Sequence, residues 1–255
     1  MAGSELLQTA IEAARAAEKV IRHYYLGNVA VRMKADRTPV TVADEETEEA
    51  IRRVIQAKFP DHGFYGEEGG RRGGEDSPYL WLIDPIDGTK SFVREYPFFS
   101  TQIALMKDGE LVLGVSNAPV FGEMAWAEKG GGAFLNDKPI AVSDIDGLDA
   151  ATLSTGNIST LAGSDRWQKL GNLIRQVNRT RGYGDFYHYH LLASGKIEVI
   201  VESDLNILDI AALTVIIREA GGEVTDLEGG PIGLETTSML ATNGVIRPEV
   251  LKVLG

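Results

Sequence analysis

At 255 residues, with 44% hydrophobic and 24% charged side chains, the chain can bury a large core as one broad domain or two closely joined halves, and wholesale disorder is excluded. No apolar run approaches the ~20 residues that cross a bilayer, and the absence of cysteine excludes disulfide frameworks and thiolate metal sites. A net charge of −12 argues against nucleic acid as a partner, since Lys and Arg drive such binding; it admits a phosphorylated small molecule only where divalent cations reverse the local sign.

The start of the chain, Met1 to Glu5, has neither the basic region nor the apolar core of a signal sequence, so a cytoplasmic protein without a membrane partner is expected. Leu7, Ile11, Ala14, Ala17, Ile21 and Tyr24 recur at helical spacing and predict an amphipathic first helix. A second helix is expected from about Ala43 to Phe59, with Pro60 after its end. The stretch from Glu67 to Asp76 is rich in Gly and charge and reads as a mobile loop. Tyr79 to Ile83 is a compact apolar strand that breaks at Asp84-Pro85. Phe99 to Met106, a turn at Lys107 to Glu110, and Leu111 to Val115 predict a hairpin. Glu123 to Ala127 and Ala133 to Leu135 extend it into an antiparallel meander.

The second half alternates. Strands are expected over Ala151 to Thr155, Ile197 to Val201, Glu223 to Thr225 and Met239 to Thr242. Helices are expected over Asp165 to Val177, over Phe186 to Ser194 with Gly195 as C-terminal cap, and over Ile210 to Ala220 ending in Gly221-Gly222, with a last one opened by Pro248. The expected fold class is α+β or a layered αβαβα sandwich. It has an antiparallel sheet in the first half (residues 1–145), a mixed sheet in the second (146–255), and helices between and outside.

Trp81 to Thr89 reads W-L-I-D-P-I-D-G-T. An apolar strand normally ends in a solvated turn, where Asp84 and Asp87 would be ordinary exposed acids. Pro85, however, removes a backbone donor and fixes its own φ, and Gly88 allows close backbone approach. The combination holds two carboxylates at one strand end beside backbone N–H groups. Metal cations take the former and phosphate oxygens the latter. Three other segments have respectable local explanations when taken singly. Gly66-Glu67-Glu68 reads as a solvated loop. Asp209, in Asn206 to Ala212, lies in the first turn of a helix, where a carboxylate contributes ~0.3–1 kcal/mol against the dipole. Thr41-x-x-Asp44, within Thr38 to Asp44, resembles a capping box with Asp in place of Glu.

Taken together and in this order, the segments resemble the inositol monophosphatase family of lithium-sensitive, magnesium-dependent phosphatases. The resemblance covers nearly the whole chain: P-V-T-x-A-D, G-E-E, D-P-I-D-G-T, the G-G-G-A loop at Gly130 to Ala133, and D-I-A-A-L leading into E-A-G-G. It implies that Glu67, Asp84 and the Ile86 carbonyl hold one metal ion. Asp84, Asp87 and Asp209 would hold a second, with Asp84 bridging and Glu67 also serving a weaker third site. The implied cofactor is two or three Mg2+ ions, with Mn2+ as the alternative. Thr89 and Asp44 match the pair that, with Glu67, orients the attacking water. The N–H groups of Gly88 and Thr89 would face the phosphate, with Asp87 and Asp209 bordering the substrate. A homodimer is implied as well. The family commonly has Trp before the late Asp, whereas this chain has Leu208, which puts the packing beside Asp209 in question.

The chemistry favours metal over acid–base catalysis alone. Phosphate monoester hydrolysis needs up to ~10²¹-fold acceleration, whereas a positioned acid or base contributes about 10²–10⁴. A pair of cations stabilises both the attacking and the departing oxygen, and all-oxygen ligands select Mg2+ or Mn2+. The four histidines, His23, His62, His188 and His190, show no metal-ligand spacing; they read as structural, with His188 and His190 also weighed as substrate contacts.

Arg181 to Tyr187, R-x-x-G-D-F-Y, resembles the histidinol-phosphate phosphatase branch of the family. Asp185 stands where inositol enzymes carry an uncharged residue, and an acid there suits the ammonium or imidazole of histidinol phosphate. Before a helix, Gly184-Asp185 is also an ordinary N-cap. Glu202, seven residues before Asp209, matches a contact to a substrate hydroxyl or amine. The expected reaction is hydrolysis of histidinol phosphate, a step of histidine biosynthesis, with inositol 1-phosphate as the alternative substrate. Bisphosphate-nucleotide or fructose-bisphosphate hydrolysis would need a basic pocket, for which Arg179 and Arg181 are the nearby candidates. A non-catalytic divalent-cation-binding protein would use the same acids, but would have no need of Thr89, Asp44 and Glu67 to orient a water.

Overall fold

The computed structural model describes residues 3–27, 31–33 and 39–255. Met1, Ala2 and Thr38, read above as parts of the N-terminus and of the Thr38 to Asp44 segment, lie outside the described residues. In chain order, α1 (Glu5–Tyr24), β1 (Val31–Met33), β2 (Pro39–Thr41) and α2 (Val42–Lys58) lead into β3 (Gly63–Gly66), β4 (Gly70–Arg72) and β5 (Tyr79–Asp87). The short α3 (Thr89–Val93) precedes a meander of β6 (Ser100–Lys107), β7 (Glu110–Ala118), β8 (Glu123–Glu128), β9 (Ala133–Leu135) and β10 (Lys138–Ile140). Then come β11 (Thr152–Thr155), α4 (Ser159–Ala162), α5 (Arg166–Ile174), β12 (Arg179–Arg181), α6 (Asp185–Ala193) and β13 (Val199–Ser203). The chain closes with α7 (Ile207–Glu219), β14 (Glu223–Thr225), β15 (Ser238–Thr242) and α8 (Arg247–Leu254).

The β3–β10 strands form one sheet in the order β10-β9-β8-β7-β6-β5-β3-β4, antiparallel except for the β3–β5 pair. A second, mixed sheet runs β12-β11-β13-β15-β14. Side-chain alternation on the strands explains the layering. Ile83, Ile103 and Val115 point to one face of the large sheet and pack on α1 and α2 through Leu7, Ala14, Ile51 and Ile55. Leu82, Ala104 and Met106 point to the other face, toward α6 and α7. Ile200, Met239 and Ala241 close that middle layer from the second sheet. Val199 and Val201 face outward onto Leu170 of α5 and Val250 of α8. The result is the five-layered αβαβα arrangement.

Helix position follows from helix composition. α1 buries one stripe and belongs outside. In α7 Ile207, Leu208 and all residues from Ile210 to Ile217 are buried, as befits a helix between two sheets. Among the described residues, no helix is long and apolar enough to cross a membrane.

Several expectations need correcting. β5 does not break at Asp84-Pro85 but continues to Asp87. Part of the Gly-rich stretch expected to be a mobile loop is strand β4, whose backbone pairs with β3. α7 begins at Ile207 rather than Ile210, because Asn206 caps it. α5 ends at Ile174 rather than at Val177.

α7 lies against the backbone of β7. A Cβ placed on Gly114 would come 2.3 Å from the Ala212 carbonyl oxygen and 2.8 Å from its Cα. Gly114→Ala is expected to force the helix off the sheet and cost about 1–3 kcal/mol. The check is a lower urea midpoint with an unchanged m-value.

Candidate active site and metal centre

The D-P-I-D segment depends on one irregularity in the sheet. In the β5–β6 pairing Asp84 lies opposite Gln102 and Asp87 opposite Ser100, so three residue steps on β5 match two on β6. In a regular strand, residues three apart point to opposite faces; one extra residue, a β-bulge, returns both to the same side. Pro85 sits inside the bulge, where its missing N–H costs no ladder bond, and its carbonyl accepts from Thr101 Oγ1 at 2.9 Å. Gly88 then turns the chain into α3 with φ of 88°. A Cβ there would also stand 2.5 Å from the Phe98 carbonyl oxygen, so only glycine fits.

Two helices bring further aspartates to this strand end by the same device. At the start of α2, Asp44 and Thr41 form a reciprocal capping box. Asp44 Oδ2 accepts from the Thr41 N–H and from Thr41 Oγ1, both at 2.7 Å. Its other oxygen, Oδ1, faces Thr89 Oγ1 at 3.3 Å, and that hydroxyl also lies 3.1 Å from the Ile86 carbonyl. The cap and the contact to Thr89 thus use different oxygens of one side chain. At the start of α7, Asp209 and Asn206 form a second capping box. The Asn206 N–H reaches Asp209 Oδ2 at 2.9 Å, and the Asn206 amide reaches Oδ1 at 2.8 Å. Leu208 is buried in the middle core layer, and its N–H caps onto Asn206 Oδ1 at 2.7 Å, so the departure from Trp is accommodated by packing.

Glu67 follows β3, and its N–H bonds to the Ile83 carbonyl, which ties it to the strand that carries Asp84. A residue that sequence reasoning missed sets this corner. Glu48, on α2, accepts from the N–H groups of Glu68 and Gly69 at 2.8 Å each. Any Cβ at Gly66 or Gly69 would collide with the Glu48 carboxylate, at 2.5 and 2.4 Å. The glycines flanking Glu67-Glu68 therefore make room for the acid that holds the loop. The pairing of a helix glutamate with G-E-E-G about twenty residues later was the available signal.

One carboxylate oxygen from each of Asp84, Asp87 and Asp209 lies within 4.8 Å of the others. Burial pushes the Asp84 carboxyl well above its ordinary range, and the charges of Glu67, Asp87, Asp209 and Asp44 push it further. Burial, then Asp185, Asp209 and Glu202, do the same to Asp87. Burial raises Asp209 to about 7 against the opposing pull of Asn206, and raises Asp44 against its bonds to Thr41. Asp84 Oδ1 is buried with no hydrogen-bond partner. A deeply buried acceptor left bare amid like charges is the arrangement that a cation completes. The donors are all oxygens, as hard ions such as Mg2+ and Mn2+ require, so the residues fit the expected metal.

The second-half residues divide. Asp185 is the first residue of α6, with φ of 45°, and Gly184, not Asp185, takes the N-cap position, with no side-chain cap bond. The ordinary N-cap reading of Asp185 is therefore not what the structure shows. Its carboxyl is raised to about 6 by burial and then by Glu202, while His188 and Lys90 oppose this. Glu202 is buried and accepts from Asn157 N–H at 2.9 Å and Tyr189 Oη at 2.6 Å, with His188 Nε2 at 3.1 Å. Burial raises its carboxyl, but these partners outweigh that and leave it below the ordinary range. His188 spans Ser154 and Glu202, and His190 spans Ser116 and Glu123; both are buried. Arg181 is exposed on β12, where its guanidinium donates to the adjacent Thr180 carbonyl at 2.8 Å. The bonds that tie the acids together do not include it.

The inositol monophosphatase family model matches residues 3–254. The histidinol-phosphatase of Chlorobaculum parvum is 37% identical over 257 residues, covering 98% of this chain and 96% of that protein. The inositol-1-monophosphatase of Mesorhizobium japonicum is 34% identical, covering 100% and 97%. The crystal structure of the extragenic suppressor protein SuhB from Bartonella henselae superposes with a TM-score of 0.90 at 33% identity, covering 98% of both chains. With the fold, the bulged strand end and the converging acids, these likenesses show that the chain belongs to the inositol monophosphatase family.

Proposed function

We propose that this phosphatase hydrolyses histidinol phosphate with the help of Mg2+ held by the acid cluster. Glu67, Asp84 and the Ile86 carbonyl would hold one ion, and Asp84, Asp87 and Asp209 a second. Bound there, the ions supply Lewis-acid stabilisation of the phosphoryl oxygens and a water of lowered pKa. With the Ile86 carbonyl taken up by an ion, Thr89 would direct its hydroxyl proton to Asp44 Oδ1, turning an oxygen lone pair toward a water that Glu67 helps to orient. Asp44, raised above its ordinary range by burial, is suited to receive a proton through Thr89. The backbone N–H groups of Gly88 and Thr89 take the phosphate oxygens.

The observation that favours histidinol phosphate is the state of Asp185. It is a non-glycine residue with a left-handed backbone, a conformation costing about 1–2 kcal/mol, and its carboxyl is raised to about 6. Neither local capping nor an ion pair accounts for it. A substrate ammonium or imidazolium would take up that charge, with Glu202 as a fixed negative charge behind it. Inositol, a neutral polyol, would not. The likeness to an inositol-1-monophosphatase at 34% identity keeps inositol 1-phosphate as the alternative. A second phosphate finds no support at Arg181, which is exposed and bonded to its own strand.

Steady-state kcat/KM for the two monoesters decides between them. Histidinol phosphate is expected to be preferred, and Asp185→Asn should lower its kcat/KM about tenfold while changing that for inositol 1-phosphate much less, as loss of one charge-assisted contact of ~1.5–3 kcal/mol implies. A tenfold preference for inositol 1-phosphate would overturn the assignment.

Glu48→Gln leaves one good acceptor where two N–H groups converge. Expected is a roughly tenfold fall in kcat/KM and a higher Mg2+ concentration at half-activation, as for other residues that orient a metal's ligands; kinetics across a Mg2+ titration read both.

Protons and cations compete for the same oxygens. The folded-state pKa values of Asp209 and Asp185, about 7 and about 6, lie above the ordinary 3.8. The metal-free fold therefore has their full stabilising contribution below about pH 4 and loses it as pH rises through about 6 to 7. Saturating Mg2+ should accordingly raise Tm more at about pH 7.5 than at about pH 5.5. Equal shifts at both pH values would contradict a cation bound by Asp209.

A further inference from the structure

A row of buried polar side chains crosses the large sheet behind Asp87, on the face that packs against α6 and α7. Ser100 pairs with Asp87 and Gln102 with Asp84 across β5–β6, and Ser116 pairs with Gln102 across β6–β7. Ser100 Oγ lies 3.3 Å from Asp87 Oδ2. Gln102 Nε2 lies 2.8 Å from Ser100 Oγ and 3.1 Å from Ser116 Oγ. Ser116 Oγ lies 2.9 Å from His190 Nε2, and His190 Nδ1 lies 3.0 Å from Glu123 Oε2. Ser100, Gln102, Ser116 and His190 are all buried; Glu123, on β8, is where the row reaches the surface.

Donors and acceptors match along the row. A carboxylate accepts only, so the Ser100 hydroxyl proton is directed to Asp87. Ser100 Oγ then accepts one Gln102 N–H, and Ser116 Oγ accepts the other. Ser116 Oγ and the Glu123 carboxylate take the two ring nitrogens of His190, Nδ1 donating to the carboxylate. The His190 bond holds the Glu123 carboxyl below its ordinary range although burial acts the other way, so the terminal acceptor stays ionised. The one buried group left over is the Gln102 carbonyl oxygen. Turning the amide over would instead strand two N–H donors and take the Ser100 hydroxyl proton away from Asp87, a larger cost.

Polar groups at these positions cost stability that apolar side chains would not, since Ala104 and Met106 continue the same face of β6 into the hydrophobic core. Their common end point is one oxygen of a cation-cluster carboxylate. We propose that Ser100, Gln102, Ser116 and His190 are positioning residues that fix the orientation of Asp87 for cation binding, anchored at Glu123. The proposal rests on the cation-dependent reading of the site given above.

Calorimetric titration of the whole protein with Mg2+ tests it, comparing the wild type with Gln102→Met, Ser100→Ala and the double variant. Each single change should raise the Mg2+ Kd about tenfold, the low end of what loss of a ligand-orienting partner causes. The double variant should be no more than about twofold weaker than the worse single one, because both act through the one bond to Asp87. Residues that merely fill space would lower Tm without moving the Kd. Gln102→Met with a native circular dichroism spectrum and a Kd within about twofold of wild type would overturn the proposal, as would losses that multiply in the double variant. If Gln102→Met does not fold, Ser116→Ala is read the same way, with a Kd increase of at least about threefold expected and an unchanged Kd overturning the proposal. Wild-type protein that binds Mg2+ but hydrolyses no phosphate monoester would overturn the phosphatase reading alone. Wild-type protein that binds no Mg2+ would overturn both.

Discussion

Carboxylates held close together out of water repel one another, and much of this molecule serves to keep them there. Two like charges about 4 Å apart interact by roughly 4 kcal/mol at an effective dielectric near 20. A flexible acid would swing into solvent to escape that cost. Here it cannot. Asp84 and Asp87 are pinned by a bulged strand, Asp44 and Asp209 by the first turns of two helices, and Glu67 by a loop tied down through Glu48. Burial first, and the repulsion after it, raise the carboxyl pKa values, and one oxygen of Asp84 stays bare. A bound dication would relieve both at once.

The scaffold meets this demand with little machinery. Each capping box satisfies a helix end and at the same time aims an aspartate, so stability and placement of the acid come from the same hydrogen bonds. α7 goes further, since it forms the centre of the middle layer and also carries Asp209 at its N-terminus. Its close seat on Gly114 transmits the position of the large sheet to the acid that arrives from the other half of the chain.

Much of this could be read from the residues. The apolar spacing of α1 survives in the fold because an outer helix needs only one buried stripe. D-P-I-D-G-T announced two acids and a tight turn. It did not announce the bulge, because a register shift is a relation between two strands and leaves no mark on either alone. α7 was expected three residues late, since its apolar character on every side hides the periodicity that normally marks a start, and the cap at Asn206 is the better guide. The three-residue strand β12, Arg-Thr-Arg, carries no apolar alternation and was invisible. Glu48, Gln102 and Ser116 were missed for another reason: each looks ordinary beside its chain neighbours and acquires a task only from a partner on a different element.

The extra residue in β5 has a consequence for the length of the segment that carries it. Loss of any one residue between Asp84 and Asp87 would restore regular pairing with β6 and leave the two acids two positions apart rather than three. They would still share a face, but the chain entering Gly88 would be drawn back by one residue's length, away from Phe98 and Asp44. The length of this segment is locked by the geometry of a single pleat.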